Sequence, residues 1–483
     1  MSSCPKFHRK GQFCKATGSQ TIHNYRKTLT HRVYNGFTVK LPLSKRPKGT
    51  SEAEKLAEIR DPIHGYIYAT EFERRVIDTR TFQRLRRIRQ LAGCHLVYPG
   101  GQHSRFEHVI GCMFLAGKVS EVLVSRRIGL NSEDVQKLRL SALLHDVGHG
   151  PFSHVFEEVM AWNTKFTHED MSQRIIRETE IGDVIEEFGY SRREISDLSI
   201  GKSRKERRFM NDVIGGGLSV DIMDYLLRDS YFTGVEYGEV DVHRIINSFE
   251  VVKDKLAISQ ASVFAFEALM IARYEMFRAV YFHRTVRAAE LMLVKSMILA
   301  DKLLHLTNLT LDNYLGLTDE VTLYRITNLD AGNDKDLKLA KSLALDYQSR
   351  KLLKCVFEKT VQRRDKFLAS IFNQKGIREQ LASQIASLAK VDPIDVYIDV
   401  PTAPSVPISS TRESLQDLTI VSRRERGVQT HKEVSVSELP LLGTISGFMD
   451  ILRVYTTDVN RSRVQKATES LFGSEGYEMK ISM

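Results

Sequence analysis

The chain has 483 residues, 42% of them hydrophobic and 27% charged, with five scattered cysteines and a formal net charge of +10. That length allows two or three domains with a sizeable core, and no uninterrupted apolar run approaches the ~18 residues of a membrane-spanning helix. The cysteines (Cys4, Cys14, Cys94, Cys112, Cys355) show no paired spacing, which speaks for a reducing compartment and against a cysteine-ligated zinc site.

The positive charge is local. Residues 1–50 hold 11 Lys and Arg and no acidic residue, so the remaining 59 basic and 60 acidic side chains nearly cancel. A body so balanced lacks the basic excess of a domain that grips nucleic acid, and only the N-terminal arm is left for such contacts. The arm, residues 1–58, is rich in Lys, Arg, Ser and Thr and reads as having no stable fold alone. An Arg-rich, acid-free leader points to mitochondrial import. Nuclear or cytoplasmic residence is the alternative, with Lys45-Arg46-Pro47-Lys48 a weak nuclear signal. The arm is expected to be dispensable for activity.

The fold is predicted to begin near Ile59, with Asp61-Pro-Ile-His64-Gly65 turning into Tyr66–Tyr68. The spacing over Val76–Leu91 predicts a helix with Ile77, Phe82, Leu85, Ile88 and Leu91 on one side and Asp78, Gln83, Arg84, Arg86, Arg87 and Arg89 on the other. After a break at Tyr98–Gly101, a helix to about Arg127 places Arg105 and His108 on one face. The next, from Ser132, ends in an apolar run that delivers His145-Asp146. Gly148, Gly150 and Pro151 turn the chain around His149, and His154 opens a new helix ahead of a loop with Trp162 and the segment Thr167-His168-Glu169.

Residues 170–210 read as surface helices. Asp221, Tyr225 and Asp229 then fall at i, i+4 and i+8, on one stripe of a helix. A long or kinked helix over 261–305 carries Arg273, Arg278, Tyr281, His283 and Arg284, and helices including Leu337–Phe357, with Arg350, continue to about Lys390. Ile394–Val400, Leu418–Val421 and Leu452–Tyr455 read as strands and Pro401–Thr411 as a loop. The expected fold is mostly α: a helical domain over 59–330 and a smaller α+β lobe over 331–483, given to oligomerisation and regulation.

A lone histidine in a helix is usually structural; here the company decides. His108, His145, Asp146 and Asp221 stand on separate predicted helices. Two imidazoles and two carboxylates can hold one divalent cation (iron, manganese or zinc) with positions left for water and a phosphate oxygen. His149, His154 and His168 are then proton donors or phosphate contacts, and Arg105 neutralises phosphate.

The His…His-Asp…Asp pattern resembles the HD-domain phosphohydrolases. The wider text (Asp61-Pro-Ile-His-Gly65, Phe82-Gln-Arg-Leu-Arg86, Arg105-Phe-Glu-His108, Gly148-His-Gly-Pro-Phe-Ser-His154, Asp224-Tyr225) is similar, over roughly 59–470, to the SAM-and-HD-domain deoxynucleoside triphosphate triphosphohydrolases, without the SAM module. The resemblance implies hydrolysis of a dNTP, carrying Mg, to deoxynucleoside and inorganic triphosphate, for control of dNTP pools. It assigns His108, His145, Asp146 and Asp221 to the metal, and Arg105, His149 and Arg273 to the phosphates. His154 becomes the general acid, backed by His168 and by Glu157 where the family has Asp. Gln90 and Leu91 read the 3′-hydroxyl and exclude a 2′-hydroxyl, and Tyr225, Asp229 and Tyr281 line the sugar pocket.

It also implies activation by guanine nucleotide in a homo-oligomer, dimer or tetramer. Asp78, Gln83, Arg86 and Arg350 match the guanine-reading residues; Arg244, Arg284 and Arg423 match a second activator site for GTP or dNTP. Several family cations are missing, at Ala57, Ser259, Ala261 and, in the catalytic pocket, Ile222. That departure implies weaker allosteric control. The rival readings are an HD phosphohydrolase for another nucleotide phosphoester and a non-enzymatic regulator that binds nucleotides or single strands.

Overall fold

A computed structural model describes residues 57–473, apart from 165, 364–374, 405–417, 423–429, 436–437 and 446–447. The chain opens with a hairpin of β1 (Ala57–Asp61) and β2 (Gly65–Ala69). Its turn is closed by Asp61, whose Oδ1 accepts from the N–H groups of Ile63 (2.9 Å) and His64 (2.8 Å). The helix predicted over Val76–Leu91 is in fact several pieces. Helix α1 (Glu71–Ile77) ends at Asp78, and the Thr79 hydroxyl accepts from Phe82 N–H to start α2 (Arg80–Gln83). A 3-10 turn covers Arg84–Arg87, and Ile88–Gln90 then runs against His103–Arg105. A threonine that caps a new helix outcompetes continuation of the old one.

Helix α3 (Arg105–Ser125) is the axis of the molecule, started by a Ser104/Glu107 capping box. By length and composition it could cross a membrane, yet Val109, Met113, Leu115, Ala116 and Val119 are fully buried within the helical core. Against it pack α4 (Ser132–Leu144), whose Asn131 N-cap accepts from Asp134 N–H, and α10 (Val220–Thr233). Between them in the chain come α5 (His154–Asn163), α6 (His168–Glu178), α7 (Glu180–Glu187), α8 (Arg192–Ser199) and α9 (Arg208–Gly215). Trp162, expected in a loop, lies within α5. The 170–210 helices are more than a surface layer, since Ile175, Ile185, Ile195 and Phe209 are fully buried.

After α11 (Val242–Ile246) and α12 (Val263–Met276), a π-turn at Phe277–Tyr281 interrupts the predicted 261–305 helix before α13 (Arg284–Leu304). Next come α14 (Leu311–Leu315), α15 (Asp319–Thr327) and α16 (Lys335–Gln348). The predicted Leu337–Phe357 helix stops at Gln348. Arg350 turns left-handed at φ +55°, and β5 (Lys354–Arg363) follows.

Among the described residues, two four-stranded sheets complete the fold. One orders β3 (Phe249–Val252), β4 (Lys255–Ser259), β8 (Leu418–Val421) and β9 (His431–Val434), with β4 and β8 parallel. In the other, β10 (Phe448–Thr456) pairs with β5, β6 (Val396–Asp399) and β7 (Thr402–Pro404), the last lying within the predicted 401–411 loop. Helices α17 (Lys375–Ala389) and α18 (Arg461–Phe472) pack on this sheet. The result is the expected mostly-α fold with a smaller α+β C-terminal part.

Candidate metal centre and active site

Helices α3, α4 and α10 converge where their polar residues face one another. His108 Nε2 lies 3.1 Å from Asp221 Oδ1 and 3.7 Å from Asp146 Oδ2, and His145 Nε2 lies 3.4 Å from Asp146 Oδ1 and 3.6 Å from Asp221 Oδ1. The second nitrogen of each ring is committed elsewhere. His108 Nδ1 pairs with Asp224 Oδ2 (2.8 Å) and His145 Nδ1 donates to the Ala142 carbonyl (2.8 Å). Both Nε2 atoms are thereby oriented for a cation, as metal-binding imidazoles are. His145 Nε2 is buried and makes no hydrogen bond, an orphan a metal would satisfy.

The electrostatics agree. Burial resists charging of His108, but Cys112, Asp221 and Asp224 raise its pKa well above the ordinary value. Burial likewise opposes Asp146, yet Arg105 foremost, with His145 and His149, holds its carboxyl well below the usual range. The pocket therefore seeks positive charge. Cys112 Sγ is also close, but at 3.6 and 3.7 Å from the two ring nitrogens of His108 it is nearly equidistant from both. A ligand to a cation on the Nε2 lone pair would lie much nearer Nε2. Burial also pushes the Cys112 thiol up to about 12. Asp146 is thus the better fourth ligand, and it is braced by Arg105.

Beside this set stand His149, His154 and His168. Glu157 ties two of them, accepting from His154 Nδ1 (2.9 Å) through one oxygen and pairing His168 Nδ1 through the other. Burial opposes ionisation of Glu157, but its bonds to His154 and His168 hold the carboxyl well below its usual range. His154 is 71% exposed, so beyond its bond to Glu157 the ring is open to solvent. His149 is fully buried and stacks on His168 with centroids 4.0 Å apart at 15°. The three histidines lie close enough together to hold an ion, but the parallel stacked rings of His149 and His168 aim their in-plane lone pairs poorly at one. Burial, then Arg105 and His168, keep His149 neutral, making it a hydrogen-bonding partner instead of a cation.

The residues predicted for the sugar pocket gather around Asp229, one turn beyond Tyr225 and two beyond Asp221 in α10's stripe. Tyr281 donates to Asp229 Oδ2 (2.7 Å) and His103 Nε2 pairs with Oδ1 (2.7 Å). The Tyr225 and Tyr281 rings meet edge-on at 6.3 Å, and the Arg273 guanidinium lies 5.9 Å from the Tyr225 ring. Gln90 Oε1 and Arg273 Nε are buried without partners among the described residues, and Leu91 is half-buried against the neighbouring core. Arg273 and Ile222 line a cleft that reaches His145, Asp146 and Asp221.

Of the predicted activator residues, Asp78, Gln83 and Arg86 lie together and Arg350, Arg244 and Arg284 elsewhere. Asp78 is exposed and pairs with Arg74 (2.6 Å); Gln83 Nε2 donates to the Ile77 carbonyl (2.8 Å). Arg86 donates to Gln83 Oε1 (2.8 Å) and lies 3.5 Å over the Phe106 ring. These three adjoin across a broken segment, not along one helix. Arg350 donates to the Leu96 carbonyl and Arg244 to that of Ala261. Arg284 opens α13, and Arg423 lies outside the described residues.

One group escaped the sequence reading. Asp224 is fully buried and holds His108 Nδ1, His64 Nε2 (2.7 Å) and the Nε and Nη2 of Arg228 (2.8 and 2.9 Å), while Arg228 Nη1 reaches Asp61 (2.8 Å). Gly111 makes room for it, since a Cβ there would overlap the Asp224 carboxylate and the Arg228 guanidinium. The signal was present in the His-Gly turn and the Asp224/Arg228 spacing of four, but neither had a role to suggest.

Comparison with known proteins places these observations in a family. The HD domain family model matches residues 105–229 and that of the HD-associated region residues 240–478. Methanocaldococcus jannaschii has an uncharacterized protein, MJ1154, that is 38% identical over 50% of this chain and 49% of its own length. YwfO of Bacillus subtilis, also uncharacterized, is 32% identical over 68% of this chain and 79% of itself. The Dictyostelium discoideum deoxynucleoside triphosphate triphosphohydrolase SAMHD1 homolog is 29% identical over 68% of this chain. The chain spans 64% of that homolog and about half of MJ1154. With two His and two Asp converging where a cation could be held, a cluster of three histidines beside them and both family regions matched, the chain belongs to the HD-domain phosphohydrolases.

Proposed function

We propose that this phosphohydrolase cleaves deoxynucleoside triphosphates between the α-phosphorus and the 5′-oxygen, releasing deoxynucleoside and inorganic triphosphate. The carrying observation is α10: successive turns bear a metal ligand (Asp221), a phenol (Tyr225) and a hydrogen-bonded carboxylate (Asp229). From Asp221 to Asp229 the helix rises ~12 Å, enough for a cation and a 5′-phosphate at one end and a sugar hydroxyl at the other. The similarity to the Dictyostelium triphosphohydrolase supports the same reading.

His108, His145, Asp146 and Asp221 would hold a divalent cation, which supplies Lewis acidity to water and phosphate. Arg105 and Arg273 neutralise the phosphates, and His149 donates a neutral hydrogen bond to them. His154 gives its proton to the departing 5′-oxygen and is recharged through Glu157 and His168. Asp229, held by His103 and Tyr281, accepts from the 3′-hydroxyl, and Leu91 meets the 2′ position with an apolar wall. Burial and Asp229 raise the Tyr281 phenol well above its ordinary pKa, which keeps it a donor to that carboxylate. Incubation with each dNTP and with GTP tests the proposal. Triphosphate should appear from deoxynucleotides, and comparable release from GTP and dGTP refutes the sugar reading.

A further inference from the structure

The loop that delivers His154 is strained. Phe152 and Ser153 are consecutive non-glycine residues at φ +59° and +56°, directly before the first residue of α5. Such a backbone persists only where its surroundings over-determine it. The restraint comes from Asp319, some 165 residues away at the start of α15 and 1% exposed. Its Oδ1 accepts from Phe152 N–H (2.6 Å) and its Oδ2 from Arg89 N–H (3.1 Å). Ser153 Oγ closes the ring by donating to the Arg89 carbonyl (2.6 Å), and Arg105 Nε donates to Ser153 Oγ (2.8 Å). From Arg89 the connection runs on to Gln90, whose N–H donates to the His103 carbonyl (3.0 Å), and His103 holds Asp229.

We infer that Asp319 is a positioning residue that fixes the acid His154 and the sugar-reading edge at Gln90 relative to each other through one carboxylate. It rests on the proposed reaction for the identity of the acid. One amide cannot serve both backbone N–H groups: in Asp319→Asn the single oxygen accepts from one of them and the NH2 opposes the other. Burial lifts the Asp319 carboxyl to about 6, so at neutral pH the ionised acceptor is the form that serves both.

The test compares wild type, Asp319→Asn and His154→Ala as full-length, metal-loaded protein on two esters. A dNTP needs its leaving alkoxide protonated; bis-p-nitrophenyl phosphate expels p-nitrophenolate without a proton. Displacing a general acid costs on the order of 10²-fold. Asp319→Asn should therefore lose about that factor in kcat on dNTP, keep bis-p-nitrophenyl phosphate turnover within about 3-fold, and lose the high-pH limb of the kcat profile as His154→Ala does. Equal losses on both esters with an unchanged pH profile would reduce Asp319 to a structural residue, and no loss on either would overturn the inference. If wild type fails on every dNTP the reaction proposed above falls, and diphenyl phosphate replaces it as the acid-demanding ester for the same comparison. Asp319→Ala, which removes both acceptors without setting an N–H against either donor, carries the test if Asp319→Asn does not fold.

Discussion

Replacing Asp224 by Asn is the sharpest probe of how the metal centre is built. The carboxylate is fully buried and takes His108, His64 and two bonds from Arg228. An amide keeps the shape but removes the charge and turns an N–H toward partners that themselves donate. His108 Nδ1–H then lacks an acceptor, and the favoured tautomer moves the proton to Nε2, the atom that faces Asp221 and Asp146. Losing such a carboxylate–imidazole support typically weakens metal binding 10–100-fold, or about 1.4–2.7 kcal/mol. Stability should suffer more, because Arg228 is left in the core with only Asp61; breaking a buried pair costs ~3–5 kcal/mol. The sign with pH is fixed as well. Burial resists ionisation of Asp224, but Arg228 foremost, with His108 and His64, holds it well below its ordinary range. A depressed carboxyl contributes stability above its unfolded pKa, about 3.9, that is lost as pH falls through the lower folded value. Asp224→Asn should therefore flatten the acid limb of the stability curve. Metal per chain by elemental analysis and denaturant midpoints from pH 3 to 8 are the measurements. A variant purified with full metal, wild-type metal affinity and an unchanged acid limb would refute the reasoning.

Two further outcomes follow from packing and titration. A Cβ on Gly148 would overlap the His168 carbonyl and the Ser172 N–H at the start of α6, so Gly148→Ala should displace His168 and lower kcat by about 10-fold or more. Metal content that is retained while activity falls would fit; wild-type kcat would not. Glu290, beside Arg287, Glu158 and Asp399, is raised to about 7 chiefly by burial. A carboxyl raised in the folded state gives stability present below its unfolded pKa and lost as pH rises through about 7, at most ~3.5 kcal/mol. Unfolding midpoints at pH 5.5 and 8 should converge in Glu290→Gln, and an unaltered pH response would exclude Glu290 as its source.

What could be read in the sequence was what helical spacing carries. His108 one turn from Arg105, His145-Asp146 at the end of an apolar helix, and the Asp221/Tyr225/Asp229 stripe each needed only local geometry, and the three helices meet because their apolar residues belong in one core. The charged side assigned to Val76–Leu91 fails for the opposite reason. Periodicity treats Arg84 as solvent-facing, whereas it is buried, donating to the His149 carbonyl (2.8 Å) and the Leu317 carbonyl (3.0 Å). Nothing within that segment distinguishes an arginine that meets water from one that meets a carbonyl 65 residues on. The supports of the site share this character: His64 with Asp224 is a pairing across 160 residues, and Phe152 with Asp319 one across 167. A ligand set can be legible because cation chemistry restricts residue types, while its braces need only a buried donor and a buried acceptor that happen to meet. Tyr314 makes the point from the other side. Its hydroxyl donates to the Gly148 carbonyl (2.6 Å), so α14, like Asp319 in α15, holds the loop between the metal ligands and the acid. The region after residue 240 thereby braces the proposed site, and a fragment ending at residue 229 would keep all four proposed ligands yet lose Tyr314 and Asp319, which hold the loop between His149 and His154.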